Sequence, residues 1–277
     1  MDYGVLADDF VHDSPSWYRV DMAKTKVTVI VPDIQYPYHD KLALKKVLKV
    51  IEDVQPDQVV QIGDGIDFPQ VSQWSVGTAG AYADTLQEHV TGYRKDFLAP
   101  VAERAPGAKL RWLEGNHDLR ITSFIKEYAP ALASLNALSM PNLFSLDDLG
   151  WSYENGPINI GTNTFAIHGH ESKGYSATLS AWDKKFCDRY GSHRSYVFGH
   201  THQPGITTRA FGYDGKVDGR FTMNVGSLMD PVAATYVADG SVSWNMSFGV
   251  LRDDGKRMYP ELIVMTDRGF HFEGRKY

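Results

Sequence analysis

Residues 58–67 read QVVQIGDGID, a short apolar and amide-bearing run that ends in glycine and aspartate. Runs of this length, rich in β-branched residues and bounded by glycine, are typical of buried strands. The same arrangement recurs, because other apolar runs also pass directly into polar residues of the types that bind metals. These further segments are residues 27–35, 110–118, 164–170 and 195–202. The pattern predicts five strands whose carboxyl ends carry Asp, Asn, Gln and His side chains.

Helical segments are predicted between these strands. After a candidate N-cap at Asp40, apolar residues recur at helical spacing as far as Val54, and Pro56 closes the segment. Further stretches predicted to be largely helical are residues 81–104, 118–138 and 176–190. Strands that alternate with helices indicate an α/β domain with at least partly parallel pairing. In such sheets ligands bind beyond the carboxyl ends of the strands, so the five polar clusters are expected to converge.

The two ends of the chain differ from this central pattern. Residues 1–25 show no clear period and are interpreted as an N-terminal arm, followed by a single domain over residues 26–277. Helical periodicity stops near Gly205. Strand-like runs are then predicted at residues 205–212, 220–225, 241–251 and 262–272. We expect these runs to be antiparallel strands that extend or back the first sheet.

Composition limits the classes of function. The chain has 28 Lys and Arg residues against 34 Asp and Glu residues. This balance disfavours a broad grip on duplex nucleic acid, which requires basic patches, but bound cations would still permit a phosphate substrate. One cysteine, Cys187, excludes an intrachain disulfide. The sequence shows neither a signal peptide nor an apolar run of membrane-spanning length, so no membrane association and a cytoplasmic location are expected.

The polar clusters have the chemistry of a metal site. Oxygen and imidazole donors suit Mn, Fe and Zn, whereas cysteine-rich clusters favour structural zinc or iron–sulfur centres. Two ions about 3.5–4 Å apart can activate a water near neutral pH and stabilise in-line displacement at phosphorus. A carboxylate that bridges two such ions is required, and Asp64, in a glycine-flanked turn, is the candidate.

The motifs, in their order along the chain, resemble those of the calcineurin-like metallophosphoesterase superfamily. The segments that carry the resemblance are Asp33-x-Gln35, Gly63-Asp64-x-x-Asp67, Gly115-Asn116-His117-Asp118, His168-Gly169 and Gly199-His200-Thr201-His202. The superfamily's pattern is D-x-H, G-D-x-x-D/N, G-N-H-D/E, H and G-H-x-H, and the resemblance spans residues 26–230. Residues 115–120 and 226–228 are similar more specifically to phage and bacterial phosphoesterases. The resemblance implies a four-layer α/β/β/α sandwich with metals between the strand ends.

The resemblance also implies two divalent metal ions, with Mn expected and Fe, Zn, Mg and Ca compatible. The implied ligands are Asp33 and His202 at the first ion, Asp64 as the bridge, and Asn116, His168 and His200 at the second ion. Gln35 stands where the superfamily usually has a ligating histidine. Its carbonyl oxygen can coordinate but is a harder and weaker donor than imidazole, so the first site is predicted to favour Mn, Mg or Ca over Zn. His39 is an alternative ligand, although its place before a helix favours a structural role.

The catalytic residues are expected to be His117 and Asp67. By resemblance, His117 protonates the leaving oxygen or stabilises the transition state, and Asp67 orients it. Arg120 is positioned either to meet a phosphate or to form an ordinary salt bridge on a helix surface.

The predicted activity is hydrolysis of a phosphate ester, with a phosphodiester as the preferred class, by a metal-bridging hydroxide and a histidine acid. Cyclic nucleotides and nucleic-acid ends are compatible substrates. A nuclease and a phosphomonoesterase are the alternatives within the superfamily. A protein-binding scaffold that has lost catalysis is the alternative from another class. The sequence leaves the oligomeric state open.

Overall fold

The structure is a computed structural model that describes residues 25–73, 84–172, 178–213, 216–230, 232–233, 244–266 and 269–277. Apart from Thr25, the predicted N-terminal arm lies outside the described residues. In chain order the strands are β1 Lys26–Val31, β2 Gln58–Gln61, β3 Lys109–Leu113, β4 Trp151–Glu154, β5 Ile158–Gly161, β6 Thr164–Ile167, β7 Ser195–Phe198, β8 Gly205–Tyr213, β9 Lys216–Asn224, β10 Ser247–Asp253, β11 Met258–Val264, β12 His271–Phe272 and β13 Arg275–Lys276. The α-helices are α1 Lys41–Val54, α2 Leu86–Tyr93, α3 Ala99–Arg104, α4 Arg120–Tyr128, α5 Met140–Leu143 and α6 Leu179–Tyr190.

Two sheets contain most of these strands. The first has the order β11-β10-β1-β2-β3-β4, and β1 to β4 are parallel neighbours. The second has the order β5-β6-β7-β9-β8, with β6, β7 and β9 parallel. The five predicted ligand-bearing strands are therefore divided, with β1, β2 and β3 in the first sheet and β6 and β7 in the second. Of the C-terminal strands, β10 and β11 extend the first sheet antiparallel, as expected, whereas β9 joins the second sheet parallel to β7 and β8 follows antiparallel to β9, which differs from the expectation.

Alternation of side chains along the strands creates the layers. In β1, Val29 and Val31 pack into the core that contains α1, whereas Ile30 packs into a second core shared with Val197 of β7. This second core joins the two sheets face to face. On the far side of the second sheet, Tyr196 packs against Phe186 of α6, with ring centroids 5.5 Å apart. The layers are thus helix, sheet, sheet and helix, so the predicted α/β/β/α sandwich is confirmed.

Helix boundaries follow the local signals, with one correction. Asp40 caps α1, since its Oδ1 atom accepts a hydrogen bond of 2.8 Å from Ala43 N. Residues 86–104 are helical throughout, with a π-helical turn at Arg94–Leu98 between α2 and α3. Residues 118–138, predicted to be largely helical, do not form one continuous α-helix. Helix α4 ends at Tyr128, close to Pro130, and 3₁₀ turns follow, because proline disfavours helical geometry in the residue before it.

The strands also differ in places from the prediction, since β5 was not predicted and β10 begins at Ser247 although a strand was expected from residue 241. Residues 262–272 do not form one strand, since β11 ends at Val264 and β12 spans only His271–Phe272. Strand β4 was not predicted, because only Trp151 of its four residues is fully buried and the apolar signal is weak. No helix within the described ranges combines the length and apolarity needed to cross a membrane.

Candidate metal centre

The carboxyl ends of the parallel strands in the two sheets meet at one place. The backbone N–H of His200, after β7, donates to Asp33 Oδ2, after β1, over 2.9 Å. His168, after β6, lies so close to Gly63, after β2, that a Cβ on this glycine would be 2.4 Å from His168 Nδ1. Both contacts join the first sheet to the second. The predicted convergence of polar clusters is therefore a property of the fold.

Asp64, His168 and His200 form the most compact group of candidate ligands. One ligand atom from each residue lies within 4.8 Å of the others. The Oδ2 atom of Asp64 is 3.2 Å from Nε2 of His168, and Asn116 Oδ1 is also 3.2 Å from this Nε2 atom. The other ring nitrogen, Nδ1, is 3.0 Å from the Ile62 carbonyl oxygen. A donor bond from Nδ1 leaves Nε2 as the nitrogen that faces the group, which is the arrangement of a ligating histidine.

Asp33, His202 and Gln35 form a second group beside the first. The Nε2 atom of His202 is 3.1 Å from Asp33 Oδ2, and Gln35 Nε2 donates to Asp64 Oδ2 over 3.1 Å. Within the described residues, Asp33 Oδ1 and Gln35 Oε1 are buried and have no hydrogen-bond partner. Buried oxygens without partners are costly unless something compensates them.

This donor set fits divalent cations. Two unsatisfied buried oxygens lie in a region that also contains carboxylates, imidazoles and an amide, the donors that Mn, Fe and Zn accept. A rotation of the Gln35 amide would exchange its nitrogen and oxygen, which differ little in shape, and would direct Oε1 to where Nε2 now lies. Gln35 is therefore placed where it can act as a ligand. The ring of His39, the alternative ligand, stacks on Tyr36 with centroids 5.0 Å apart.

Charge interactions within the buried group perturb its titration. Burial opposes ionisation of Asp64, but the charges of His168, His117 and His200, together with a hydrogen bond to His168, outweigh it and hold the pKa of Asp64 well below its usual range. Burial likewise opposes protonation of His168, but Asp64 and Asp33 raise its pKa to about 10. Burial and the charge of His168 lower the pKa of His200 to about 4. His168 thus holds a proton at neutral pH, whereas His200 presents a neutral imidazole.

His117 and Asp67 form a hydrogen-bonded pair at the edge of this group. The Nδ1 atom of His117 is 2.5 Å from Asp67 Oδ1, and Asp67 is completely buried. The opposite nitrogen, Nε2, is 3.7 Å from Asp64 Oδ2. Arg120 Nη1 lies 3.0 Å from Asp67 Oδ2, and Arg120 Nη2 lies 3.4 Å from His117 Nε2. Arg120 therefore belongs to the site and is not an ordinary surface ion pair.

Asp118, the last residue of the Gly115–Asp118 motif, is a further functional candidate, although the sequence alone indicates no role for it. Its Oδ2 atom accepts hydrogen bonds from the backbone N–H groups of Asp64, at 2.9 Å, and Gly115, at 2.8 Å. The indole of Trp112 also donates to this oxygen over 3.2 Å. Burial and the charge of Asp64 raise the pKa of Asp118 to about 7. Asp118 ties together the turns after β2 and β3, and only the folded structure shows this.

Solved structures of similar fold include Vps29 complexed with Zn²⁺ from Entamoeba histolytica and Yfce, a phosphoesterase from E. coli. The Vps29 chain is 10% identical with a TM-score of 0.44, over 88% of this chain and 96% of that one. The Yfce chain is 16% identical with a TM-score of 0.40, also over 88% of this chain and 96% of that one.

Sequence comparison gives a family and two phage relatives. Residues 27–204 match the family described as calcineurin-like phosphoesterase. The chain is 32% identical over 254 residues to the Gene 54 protein of Mycobacterium phage L5, covering 91% of this chain and 98% of that protein. The Gene 54 protein of Mycobacterium phage D29 is also 32% identical, over 90% of this chain and 98% of that protein. The matched region contains every candidate ligand described above.

Proposed function

The chain belongs to the calcineurin-like phosphoesterase family, and on this premise we propose that it hydrolyses phosphodiesters at a centre of two divalent cations. The position of Asp64 is the observation that carries the proposal. Its Oδ2 atom lies 3.2 Å from His168 Nε2 in one ligand group and 3.1 Å from Gln35 Nε2 in the other. A carboxylate between two groups of donors has the position that a bridge between two cations requires.

The proposed ligands are the two groups on either side of this carboxylate. They are Asp33, Gln35 and His202 at one cation, Asp64 as the bridge, and Asn116, His168 and His200 at the other. Cations bound there would polarise the phosphoryl oxygens and lower the pKa of a water near them. We propose Mn as the working ion, because Gln35 supplies an amide oxygen where an imidazole would favour zinc.

His117 is the proposed proton donor to the leaving oxygen. Asp67 holds its Nδ1 atom at 2.5 Å and thereby fixes the ring, so that Nε2 is the atom exposed to a substrate. The His117 side chain is 14% exposed, which permits contact with an ester bound beside Asp64. A positioned acid of this kind contributes about 10²–10⁴-fold to rate.

The proton donor and Arg120 support hydrolysis of a phosphate ester with a poor leaving group, and the choice of a diester over a monoester rests on analogy with the family. Unassisted departure of an alkoxide is difficult, so an acid at the leaving oxygen is useful for a diester. Arg120 Nη1 lies 3.0 Å from Asp67 Oδ2 and donates a hydrogen bond of 2.6 Å to the backbone carbonyl oxygen of Asp67. Its guanidinium is therefore pre-organised to bind a phosphate oxygen beside His117.

Paired chromogenic substrates test this proposal. Bis-p-nitrophenyl phosphate and p-nitrophenyl phosphate would be supplied with Mn²⁺, with and without a chelator. We expect turnover of the diester that the chelator and Asp64→Asn both abolish. Asp148→Asn is the matched control, since Asp148 has an exposed side chain that pairs with Arg94. Turnover of the monoester alone would replace the phosphodiesterase with a phosphatase, and failure to hydrolyse either ester despite bound Mn²⁺ would refute the proposal.

A further inference from the structure

A cavity of about 470 Å³ adjoins the candidate metal centre on one side. Its inner end is formed by Asn116, a proposed ligand, and by Arg120, which contacts Asp67 and His117. The volume falls within the range of small-molecule sites. Because Asn116 and Arg120 belong to both the cavity and the centre, a phosphate bound at the centre would have the rest of its molecule in this cavity.

One face of α4 supplies an aromatic wall. Phe124 and Tyr128 both line the cavity, and their ring centroids are 4.9 Å apart with the rings inclined by 40°. These side chains are 39% and 66% exposed, respectively. Such a pair at helical spacing adds only a little to the stability of the helix. Two adjacent exposed rings beside a phosphate-binding arginine are better explained by a ligand that stacks on them.

Helical geometry sets the spacing between the cation and the rings. Arg120, Phe124 and Tyr128 recur every four residues, so each lies about 6 Å further along the same face. A phosphate at Arg120 would be separated from the first ring by one helical turn. In a nucleotide, a sugar separates the phosphate from a flat base in the same way.

The rest of the lining is polar apart from Val71. Gln70, Ser72, Gln73, Ser123 and Glu127 line the cavity opposite or beside the rings. Amide, hydroxyl and carboxylate groups can pair with the donors and acceptors at the edge of a base.

We propose that Phe124 and Tyr128 form a nucleobase subsite, so that the substrate is a nucleoside phosphodiester whose phosphate lies at the metal centre. This inference rests on the proposed function, because it concerns the substrate of the same site. Stacking on aromatic side chains tolerates any base, since every base has a π-face. The subsite therefore selects nucleotides without selecting a sequence.

Binding of two phosphates that differ only in the nucleoside tests the subsite without requiring turnover. Thymidine 5′-monophosphate and ethyl phosphate would be titrated calorimetrically into the protein in Mn²⁺. We expect the wild type to bind thymidine 5′-monophosphate more tightly than ethyl phosphate. The double variant Phe124→Ala with Tyr128→Ala should bind the nucleotide about tenfold to a hundredfold more weakly than the wild type does. The affinity for ethyl phosphate should be the same in the double variant and in the wild type. Phe124→Tyr, which keeps a ring, should retain nucleotide affinity.

Tyr259→Ala is the matched control, because Tyr259 is a 44% exposed tyrosine on β11, outside the cavity. Equal affinity of the wild type for both phosphates would overturn the subsite. So would an unchanged nucleotide affinity in the double variant, or an equal loss for both ligands. Phenyl phosphate would be titrated as a third ligand. If it bound as tightly as the nucleotide, the rings would bind any aromatic ester, and their assignment to a nucleobase would be overturned. Ring-dependent nucleotide binding without diester turnover would retain the subsite and reject the proposed activity.

Discussion

Substitution of Gly115 by alanine should displace Asp64 at the centre and reduce the stability of the fold only slightly. An ideal Cβ at this position would lie 2.2 Å from both the backbone nitrogen and Oδ1 of Asp64. Ordinary van der Waals contact begins near 3.4 Å, so Asp64 would have to retreat by about 1 Å. The backbone of Gly115 is not left-handed, so alanine adds steric overlap without dihedral strain. Overpacking of this kind costs about 1–3 kcal/mol, and a misplacement of about 1 Å at a reacting centre costs about a hundredfold in rate.

We therefore expect Gly115→Ala to lower kcat/KM for bis-p-nitrophenyl phosphate about a hundredfold. The midpoint temperature of thermal unfolding should fall by only a few degrees. The affinity for Mn²⁺, measured by calorimetry, should also fall. Gly219→Ala is the control, since Gly219 has nothing within 4 Å of its ideal Cβ and is not left-handed either. Wild-type Mn²⁺ affinity and turnover in Gly115→Ala would refute the placement of Asp64 at the centre.

Three further predictions concern protons and ligands. The pKa of His168 is raised to about 10, so the folded protein binds the His168 proton at pH 7. Protonated His168 therefore stabilises the folded state fully below pH 6.5, and this stabilisation is lost as the pH rises through about 10. Mn²⁺ binding at pH 7 should therefore release about one proton, measured by calorimetry in buffers of different ionisation enthalpy; release of none would contradict the geometry. Gln35→His should tighten Zn²⁺ binding about tenfold in a chelator competition, and equal affinities would rule out Gln35 as a ligand position. Asp67→Asn should reduce kcat about a hundredfold for a dialkyl phosphodiester, whose alkoxide needs a proton to depart, while Mn²⁺ affinity is retained. An unchanged kcat for that substrate would remove His117 from the proposed role.

The sequence predicted those parts of the fold that depend on local pattern. The run before Asp64 and the cap at Asp40 are local signals, and the structure has β2 and α1 at these places. Strand β4 escaped notice because it is short and mostly half-buried, so its period is weak. The division of the ligand-bearing strands between two sheets was implied only by resemblance, because strand pairing is a long-range property that a run of residues does not encode.

The candidate site shows the same boundary between local and tertiary information. Spacing identified the residues that follow each strand, because a ligand must sit at a strand end to reach the centre. It left Arg120 undecided, since only the fold brings its guanidinium to 3.0 Å from Asp67. It gave Asp118 no role, because two of the N–H groups that donate to Asp118, those of Asp64 and Ile66, lie 54 and 52 residues earlier in the sequence. The pairing of Phe124 with Tyr128 acquires meaning only beside the cavity.

Backbone conformation at the centre argues that the protein, more than the cations, sets the geometry. Left-handed φ angles occur at Gln35 (55°), Asp64 (51°), His200 (67°) and His202 (58°). For residues with a side chain this conformation costs about 1–2 kcal/mol each, and glycine would avoid the cost but would bring no ligand atom. The strain is offset by hydrogen bonds that the same turns make possible, since Asp64 N donates to Asp118 at 2.9 Å and His200 N donates to Asp33 at 2.9 Å. Because these bonds join protein groups to one another, the turns can be held in place before any cation binds. Strain concentrated at candidate ligands and retained by such bonds is what a pre-organised site requires.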